Sequence, residues 1–229
     1  MTLLIHRSNR LSRLLAALAQ AVAKPLVSPF EPLPIVVHSR GLERYLAMHL
    51  ADALGVCANV EFLFPMPLVS RLTERVLGER GRLDGWSGDR LFWAIAGALG
   101  GVSDAGDEAL EPLRAYLGEA DDRKAIALAQ RVAWLFERYA SYRPELVERW
   151  QTGASDGWEA ALWQMIAPRM GGEPPVSVAE AFEAALVDAN ATAVCADALP
   201  ERVLVFSIGT LSPLAIRVLA AAGRHCEVT

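Results

Sequence analysis

Residues 34–44, Pro34-Ile35-Val36-Val37-His38-Ser39-Arg40-Gly41-Leu42-Glu43-Arg44, decide the fold class. The apolar run at positions 34–37 is short and rich in β-branched residues, which predicts a strand buried on both faces, as in a parallel sheet. After this strand, apolar side chains recur at helical spacing between Leu42 and Leu50. A strand that turns directly into a helix is typical of an α/β fold, so we expect a parallel sheet flanked by helices.

The turn at residues 38–44 is where a nucleotide-hydrolysing protein of this class holds its phosphate-binding loop. Such a loop needs glycines, so that backbone N–H groups can approach phosphate, followed by a Lys and a Ser or Thr. This turn contains one glycine, Gly41, and no lysine. The two lysines of the chain, Lys24 and Lys124, follow no glycine-rich turn. The sequence therefore predicts a chain that neither binds ATP tightly nor hydrolyses it.

Strand patterns lie near both ends of the chain, and helical patterns fill the middle. From Leu68 to about residue 188 the periodicity is helical and is broken only by glycine-containing loops. The segments that we predict as strands are residues 3–6, 34–38, 60–64 and 203–207.

This distribution predicts a core domain that is discontinuous in sequence. An α/β core is expected from residues 1–67 together with residues 200–229, and an inserted helical subdomain from residues 68–199. Because neighbouring parallel strands need a crossover connection, helices inserted between them fit this topology.

The sequence predicts one helix near each end of the chain. A first helix is predicted at residues 10–23, with Ser8 or Asn9 as its N-cap. Near the other end, a helix at residues 214–222 is followed by residues 225–229, which begin another strand. A native C-terminus in mid-strand is unusual for a complete domain, so we expect a fragment of a longer protein.

The composition is that of a folded chain with an acidic balance. Hydrophobic residues make up 53% of it and the net charge is −5, which argue against a disordered chain and against a freestanding, strongly basic DNA-binding domain. No apolar run approaches the roughly 20 residues that span a membrane, and no signal peptide is found, so a cytoplasmic location is expected. The 20 arginines against 2 lysines suit phosphate contacts, but GC-rich coding would also produce them.

No catalytic or metal-binding constellation is found in the sequence. The three cysteines, Cys57, Cys195 and Cys226, share no CxxC spacing, which favours buried thiols over a zinc site or disulfides. Asp121 and Asp122 lie at a predicted helix start, where carboxylates favour the helix dipole, and no apolar strand precedes them. We therefore expect no catalytic residue, no metal and no cofactor in this chain.

Several short segments, spread from one end of the chain to the other, match one known family. They are residues 6–11, 28–32, 36–41, 58–62, 135–139, 142–144, 205–209 and 223–225. In this order and spacing they resemble the RecC family, the gamma chains of bacterial exodeoxyribonuclease V. Members of that family are several times longer, so the resemblance implies an N-terminal fragment.

The resemblance implies both a fold and a role. The implied fold is α/β, a parallel-sheet domain like that of superfamily 1 helicases, which lacks the ATPase motifs and carries an inserted all-helical subdomain. The implied role is that of a non-catalytic subunit in a helicase–nuclease for recombinational repair of double-strand breaks. RecB-like and RecD-like helicase subunits are the implied partners. In this family the motor-like domains line a channel for single-stranded DNA, and this channel recognises the Chi hotspot.

The resemblance also implies a DNA-binding surface, located after the first buried strand and on one inserted helix. Aromatic side chains can stack there on unpaired bases, and arginines can meet phosphates or guanine edges. His38, Arg40 and Arg44 stand where the family has smaller or amide-bearing polar residues, so the preferred DNA sequence stays open. We expect Arg40, Arg44 and Arg143 to line one electropositive groove. The candidates carried over by position are His38, Arg40, Arg44, Phe64, Trp134, Leu135, Glu137, Arg138 and Arg143.

Alternatives to this DNA-binding surface stay open. Phe64, Trp134 and Leu135 would also suit a buried core, and Glu137 and Arg138 would suit a solvated helix face. A second function is a purely structural scaffold that docks the helicase–nuclease partner subunit without touching DNA. Arginines gathered in one groove would favour the DNA channel, and scattered arginines would favour the scaffold.

Overall fold

The computed structural model describes residues 3–118, 122–154, 157–187, 198–206 and 209–229. Within these ranges the protein is mixed α/β, with a parallel four-stranded sheet and many helices. No helix of the described part is both long and apolar enough to cross a membrane. The chain divides into two compact units, which we call the sheet unit (Met1–Gly81, Ala181–Leu211 and Ala215–Thr229) and the helical unit (Arg82–Glu180 and Ser212–Leu214).

The sheet unit contains every strand that the structure describes. The chain passes from the helical unit into the sheet unit within helix α9, Pro175–Val187. The strands are β1 (Leu33–Val36), β2 (Val60–Leu63), β3 (Arg202–Val205) and β4 (Glu227–Val228). The helices around them are α1 (Leu11–Ala23), α2 (Arg40–Leu54), α3 (Pro65–Leu77) and α10 (Pro213–Ala222), with a 3₁₀ turn at Gly78–Gly81.

The four strands lie in the order β2-β1-β3-β4, and every pair is parallel. The expected pairing of the first buried strand with the strand near residue 203 is confirmed, since Ile35 lies opposite Leu204. The predicted strand at residues 3–6 is reduced to one parallel bridge between Leu3 and Val228. The prediction of a parallel sheet was therefore right, and its first strand was overestimated.

Strand β1 is central and wholly buried, as its apolar run predicted. Pro34 lacks an N–H group, which is normally costly inside a sheet. Strand β1 pairs with β3 only from Ile35 onward, so the missing N–H of Pro34 removes no hydrogen bond between these two strands. The core of this unit forms around β1, where Ile35 and Val37 pack with Leu46 and Leu50 of α2.

Helix α2 follows β1 after only three residues, 37–39. The hydroxyl of Ser39 caps it by accepting a hydrogen bond from the Leu42 N–H, at 3.2 Å. Gly55, in the left-handed conformation at φ 82°, ends it. Gly41 lies inside the first turn of this helix and not in the preceding loop, so the expected glycine-containing turn was misplaced.

Helix α1 begins one residue later than predicted, and its cap differs. The N-cap is Arg10, which makes no side-chain capping bond, so the prediction of Ser8 or Asn9 was wrong. The Ser8 hydroxyl accepts instead from the Arg10 N–H at 3.0 Å. At its other end, α1 leaves carbonyl groups that the buried Arg202 side chain satisfies, including that of Ala21 at 2.5 Å.

The helical unit contains α-helices, 3₁₀ turns and loops, and no strand among its described residues. Its core is aromatic: the rings of Trp86 and Trp163 stack at a centroid distance of 4.6 Å, and Phe136 and Trp150 pack against Trp163. The helices, besides the start of α9, are α4 (Gly88–Leu99), α5 (Glu111–Leu117), α6 (Asp122–Tyr142), α7 (Pro144–Gln151) and α8 (Trp158–Ile166), with 3₁₀ turns at Asp84–Trp86, Glu108–Leu110 and Ala167–Arg169.

The domain boundaries predicted from the sequence differ from the limits of the two compact units. They place residues 68–199 in the inserted subdomain, whereas α3 and the second half of α9 lie in the sheet unit. That domain division stays a prediction.

Candidate nucleic-acid interface

Two candidate residues lie at one edge of the sheet. Strands β1 and β2 are parallel neighbours, so their carboxyl ends meet at the same edge, where the Val37 N–H donates to the Leu63 carbonyl at 2.8 Å. His38 follows β1 by two residues and is exposed, and Phe64 follows β2 directly with 36% of its surface exposed. This carboxyl edge is where open α/β sheets bind their ligands.

Arg40 and Arg44 add two positive charges close to that edge. Arg40 is the first residue of α2 and Arg44 lies one turn later, and both side chains are exposed. A helix N-terminus carries partial positive charge and free N–H groups, which favour anions such as phosphate. Glu43, in the same turn, opposes this with one negative charge. The sheet unit therefore brings His38, Arg40, Arg44 and Phe64 to one region.

On α6, three side chains form a ladder that we call the α6 ladder: Trp134, Arg138 and Tyr142. The guanidinium carbon of Arg138 lies 4.8 Å from the Trp134 ring centroid and 5.3 Å from that of Tyr142. Both distances are within the range of cation–π attraction. The two rings remain exposed, Trp134 by 58% and Tyr142 by 46%.

Leu135 and Glu137 lie on the same helix but are half-buried. The carboxylate of Glu137 accepts a hydrogen bond from the backbone N–H of Gly88, the first residue of α4. One of its oxygens is therefore engaged in holding the start of another helix. Leu135 offers only an apolar, partly covered surface.

Arg143 lies at the break between α6 and α7. Its backbone N–H donates to the Tyr139 carbonyl at 2.8 Å, and its own carbonyl accepts from Leu146 at 3.0 Å. Pro144, buried in the first position of α7, cannot continue the hydrogen bonding of α6, so the chain turns here. The Arg143 side chain is left exposed.

The candidates thus divide into two clusters, one in each unit. His38, Arg40, Arg44 and Phe64 belong to the sheet unit, and the others belong to the helical unit. None of the nine is buried, so the alternative of a buried core for Phe64, Trp134 and Leu135 does not describe their surroundings. Their contact with DNA stays a prediction.

Tyr142 is a surface residue that the sequence reasoning did not select. Its position four residues after Arg138 and eight after Trp134 places all three on one face of a helix. This i, i+4, i+8 spacing was visible in the sequence. It was missed because the candidates were carried over from the family one residue at a time, and the helical spacing was not used.

The thiols and carboxylates give no sign of catalytic chemistry in the part of the chain that is described. No group of three His, Cys, Asp or Glu side chains there could hold a metal ion. Cys57 and Cys226 are free thiols, and burial raises the pKa of Cys226 to about 11, which keeps it protonated at neutral pH. Asp121 and Cys195 lie outside the described residues.

An apolar cleft of about 490 Å³ opens in the sheet unit. It lies between α1, β3 and α10 and is closed on one side by the N-terminal residues. Leu4, Ile5 and Ile216 line it and are themselves between 47% and 62% exposed. Exposed apolar surface of this kind commonly marks a site of contact with another protein surface.

Comparison with known proteins gives one consistent result. A family model described as RecC, N-terminal domain, matches residues 3–229. The protein named RecBCD enzyme subunit RecC from Escherichia coli strain K12 is 30% identical over 235 residues, covering 98% of this chain and 21% of that protein.

Two further relatives carry the same name. RecBCD enzyme subunit RecC from Mycolicibacterium smegmatis is 32% identical over 242 residues, covering all of this chain and 21% of that protein. The one from Haemophilus influenzae is 23% identical over 261 residues, covering 98% of this chain and 23% of that protein. The chain therefore spans about a fifth of the length of the curated relatives that it matches.

Proposed function

Because this chain belongs to the RecC family, we propose that it is the N-terminal part of a non-catalytic subunit in a RecBCD-type helicase–nuclease. The observation that carries this proposal is the family match over residues 3–229. The role is in recombinational repair of double-strand DNA breaks. The partners would be RecB-like and RecD-like helicase subunits in the cytoplasm, and the chain would need no cofactor of its own.

The fold that we propose for the assembled protein is a superfamily 1 helicase-like domain without ATPase function. A parallel sheet with a strand-to-helix turn after β1 supports it. Only residues 37–39 separate β1 from α2, which leaves little room for a wide loop that would wrap phosphates with backbone N–H groups. Residues 37–44 contain one glycine and no lysine, so they lack the residues of a phosphate-binding loop.

We propose that the two candidate clusters contact the single DNA strand and contribute to a channel that recognises Chi. The exposure of Arg40, Arg44 and Arg143 supports this, because an arginine must be accessible to pair with phosphate. The net charge of −5 does not oppose it, since local fields outweigh the sum of charges. The affinity of this chain alone is expected to be weak, since its net charge is negative and other domains would complete the channel.

The test uses the full-length protein assembled with its helicase partners. Arg44→Ala and Arg143→Ala are introduced together, and single-strand affinity is measured at several salt concentrations, along with the response to Chi. Each lost phosphate contact should lower the salt slope by about one unit and weaken binding. The Chi response should fall in parallel.

Matched controls are available in both units. Arg13 on α1 and Arg149 on α7 are exposed arginines outside the clusters, so Arg13→Ala and Arg149→Ala should leave affinity and Chi response unchanged. Unchanged values for the Arg44 and Arg143 variants would contradict the DNA-channel proposal.

The apolar cleft favours a second candidate function, a structural scaffold that docks the helicase–nuclease partner. Substituting Ile216→Asp would place a charge in that cleft and should weaken assembly with the RecB-like subunit, measured by gel filtration of the purified subunits. Val56→Asp, at an exposed apolar position outside the cleft, is the control. Equal assembly of both variants would count against the scaffold.

A further inference from the structure

The apolar cleft of the sheet unit lies in the plane of the sheet and not on one of its faces. Successive side chains of a strand point to opposite faces, so a pocket on one face is lined by alternate residues. This cleft is lined by three consecutive residues at the end of β3, Leu204, Val205 and Phe206. Residues 3–6 line its other side, again consecutively. The cleft is therefore a gap between β3 and the N-terminal residues.

Strand β4 leads into this gap and is hydrogen-bonded on both sides of it. Toward β3, the Thr229 N–H donates to the Val203 carbonyl at 3.0 Å, and the Thr229 carbonyl accepts from the Val205 N–H at 2.6 Å. Toward the N-terminal residues, the Val228 carbonyl accepts from the Leu4 N–H at 2.9 Å. Thr229 itself lines the cleft.

The register of these pairings shows what would flank a longer β4. Both partners of a parallel pair advance together by one residue. The pairing of Leu3 with Val228 therefore places the two positions after Thr229 opposite residues 5–6. The pairing of β3 with β4 places the same two positions opposite residues 205–206. All four flanking residues line the cleft, so it lies where β4 would continue.

The volume of the cleft agrees with such a continuation. A strand residue occupies about 160 Å³ in a packed sheet, from a rise of about 3.3 Å, a strand spacing of about 4.8 Å and a packing distance of about 10 Å. The cleft measures about 490 Å³. It therefore has room for about three strand residues.

The two helices that wall the cleft belong to opposite faces of the sheet. The connections through α2 and α10 run in opposite directions across the strand order, so right-handed crossovers place these helices on opposite faces. Helix α1 shares a core with α2 and so lies on the face of α2. The walls are apolar on both faces, with Leu14 and Leu18 from α1, and Ile216 and Leu219 from α10.

We propose that the cleft is the slot for a continuation of β4, formed by the two or three residues that follow Thr229 in the full-length protein. The described chain spans about a fifth of the length of its curated relatives, so the full-length protein has chain to supply. In the parallel pattern, the first of these residues donates to the Leu4 carbonyl and accepts from the His6 N–H. Because both faces of the slot are apolar, these residues are apolar as well.

This inference does not rest on the proposed function, but it bears on the scaffold alternative. The continued strand would cover Ile5 and Ile216, which are 62% and 52% exposed. Residues 3–6 would pair along it as a fifth parallel strand, where the described chain has only the bridge at Leu3. The slot would then be filled by the protein's own chain and would not be open to a partner subunit.

The experiment uses the full-length protein purified without its partners. Ile5→Cys is combined with a cysteine at the first position after Thr229, and the protein is treated with a mild oxidant. The two residues are opposite each other in the proposed register, at a Cα separation that a disulfide spans, so the pair should crosslink. Leu4→Cys with the same second cysteine is the control. It should not crosslink, because a shift of one residue turns the side chain to the other face.

Hydrogen exchange of the unsubstituted full-length protein gives a second, independent measurement. The amides of residues 4–6 should exchange at least about tenfold more slowly than in an unstructured peptide, before any partner is added. Crosslinking of both cysteine pairs or of neither, or fast exchange of these amides, would contradict the proposal. Protection that appears only after the RecB-like subunit is added would overturn it in favour of the scaffold. None of these results alters the test of the DNA channel with Arg44 and Arg143.

Discussion

The carboxylate of Glu137, in the middle of α6, accepts a hydrogen bond from the backbone N–H of Gly88, the first residue of α4. The first N–H groups of a helix lack partners within the helix, and a carboxylate beside them also interacts favourably with the helix dipole. The capping side chain here comes from another helix. Glu137 therefore stabilises the helical unit, whatever its role toward DNA.

Replacing Glu137 should accordingly lower stability. Glu137→Ala removes the acceptor and should cost about 0.5–2 kcal/mol of unfolding free energy, measured by urea denaturation. Glu137→Gln keeps an acceptor oxygen but loses the charge, so it should cost less. Stability equal to that of the original chain in Glu137→Ala would show that the hydrogen bond contributes nothing.

The ion pair between Arg71 and Glu61 predicts a pH dependence of stability in the sheet unit. The Arg71 guanidinium donates two hydrogen bonds to the Glu61 carboxylate, and chiefly for this reason the pKa of Glu61 lies below its ordinary value of 4.5. In the unfolded chain Glu61 takes up a proton near its ordinary pKa. The stabilisation is therefore present above that pH and is lost as the pH falls through the lower pKa of the folded state.

Urea denaturation between pH 7 and pH 3 checks this pH dependence. Glu61→Gln should lower stability at pH 7 by only about 0.5–1 kcal/mol, because the two side chains are 33% and 37% exposed and the pair is screened by water. The difference between the variant and the original chain should shrink as the medium becomes acidic. A difference that stays constant across this range would contradict the assignment.

Replacing Gly41 with alanine should give a result that is not expected for a phosphate-binding glycine. It lies in the first turn of α2, and a methyl group added there would come no closer than 3.9 Å to the Ser39 hydroxyl. Gly41→Ala should therefore raise stability by about 0.5–1 kcal/mol, measured by thermal unfolding. Gly55→Ala, at φ 82°, should lower it.

A nucleotide titration complements the Gly41→Ala measurement. Calorimetry with ATP and Mg²⁺ should show no saturable binding at micromolar nucleotide, with or without the Gly41→Ala change. Clear saturation in the original chain, abolished by Gly41→Ala, would restore a phosphate-binding role for this turn.

Local sequence patterns predicted the sheet well because its central strand is unambiguous. The apolar run at 34–37 can only be buried on both faces, and a parallel partner near residue 203 follows from the helices between them. The errors concern caps, turns and the strand predicted at residues 3–6, which is reduced to one bridge. The N-cap of α1 is Arg10 and not Ser8 or Asn9, and Gly41 lies within α2. Helix ends depend on small differences in local hydrogen bonding, which spacing does not resolve.

The candidate site was predictable only where its contacts are local. The α6 ladder follows from residues four apart on one helix, so sequence alone could have included Tyr142. The partner of Glu137 lies 49 residues away, and no periodicity identifies such a pair. A side chain chosen by its family position can therefore also have a structural contact that the sequence does not show.

The central claim, that this chain contacts single-stranded DNA, is tested most directly by photo-crosslinking in the assembled enzyme. A single-stranded DNA substrate that carries 5-iodouracil at successive positions is irradiated with the full-length protein and its helicase partners. Crosslinked peptides are then identified by mass spectrometry. The account predicts crosslinks within residues 38–44 and 131–143, including Trp134 or Tyr142. Crosslinks confined to the partner subunits or to other parts of this protein would contradict it.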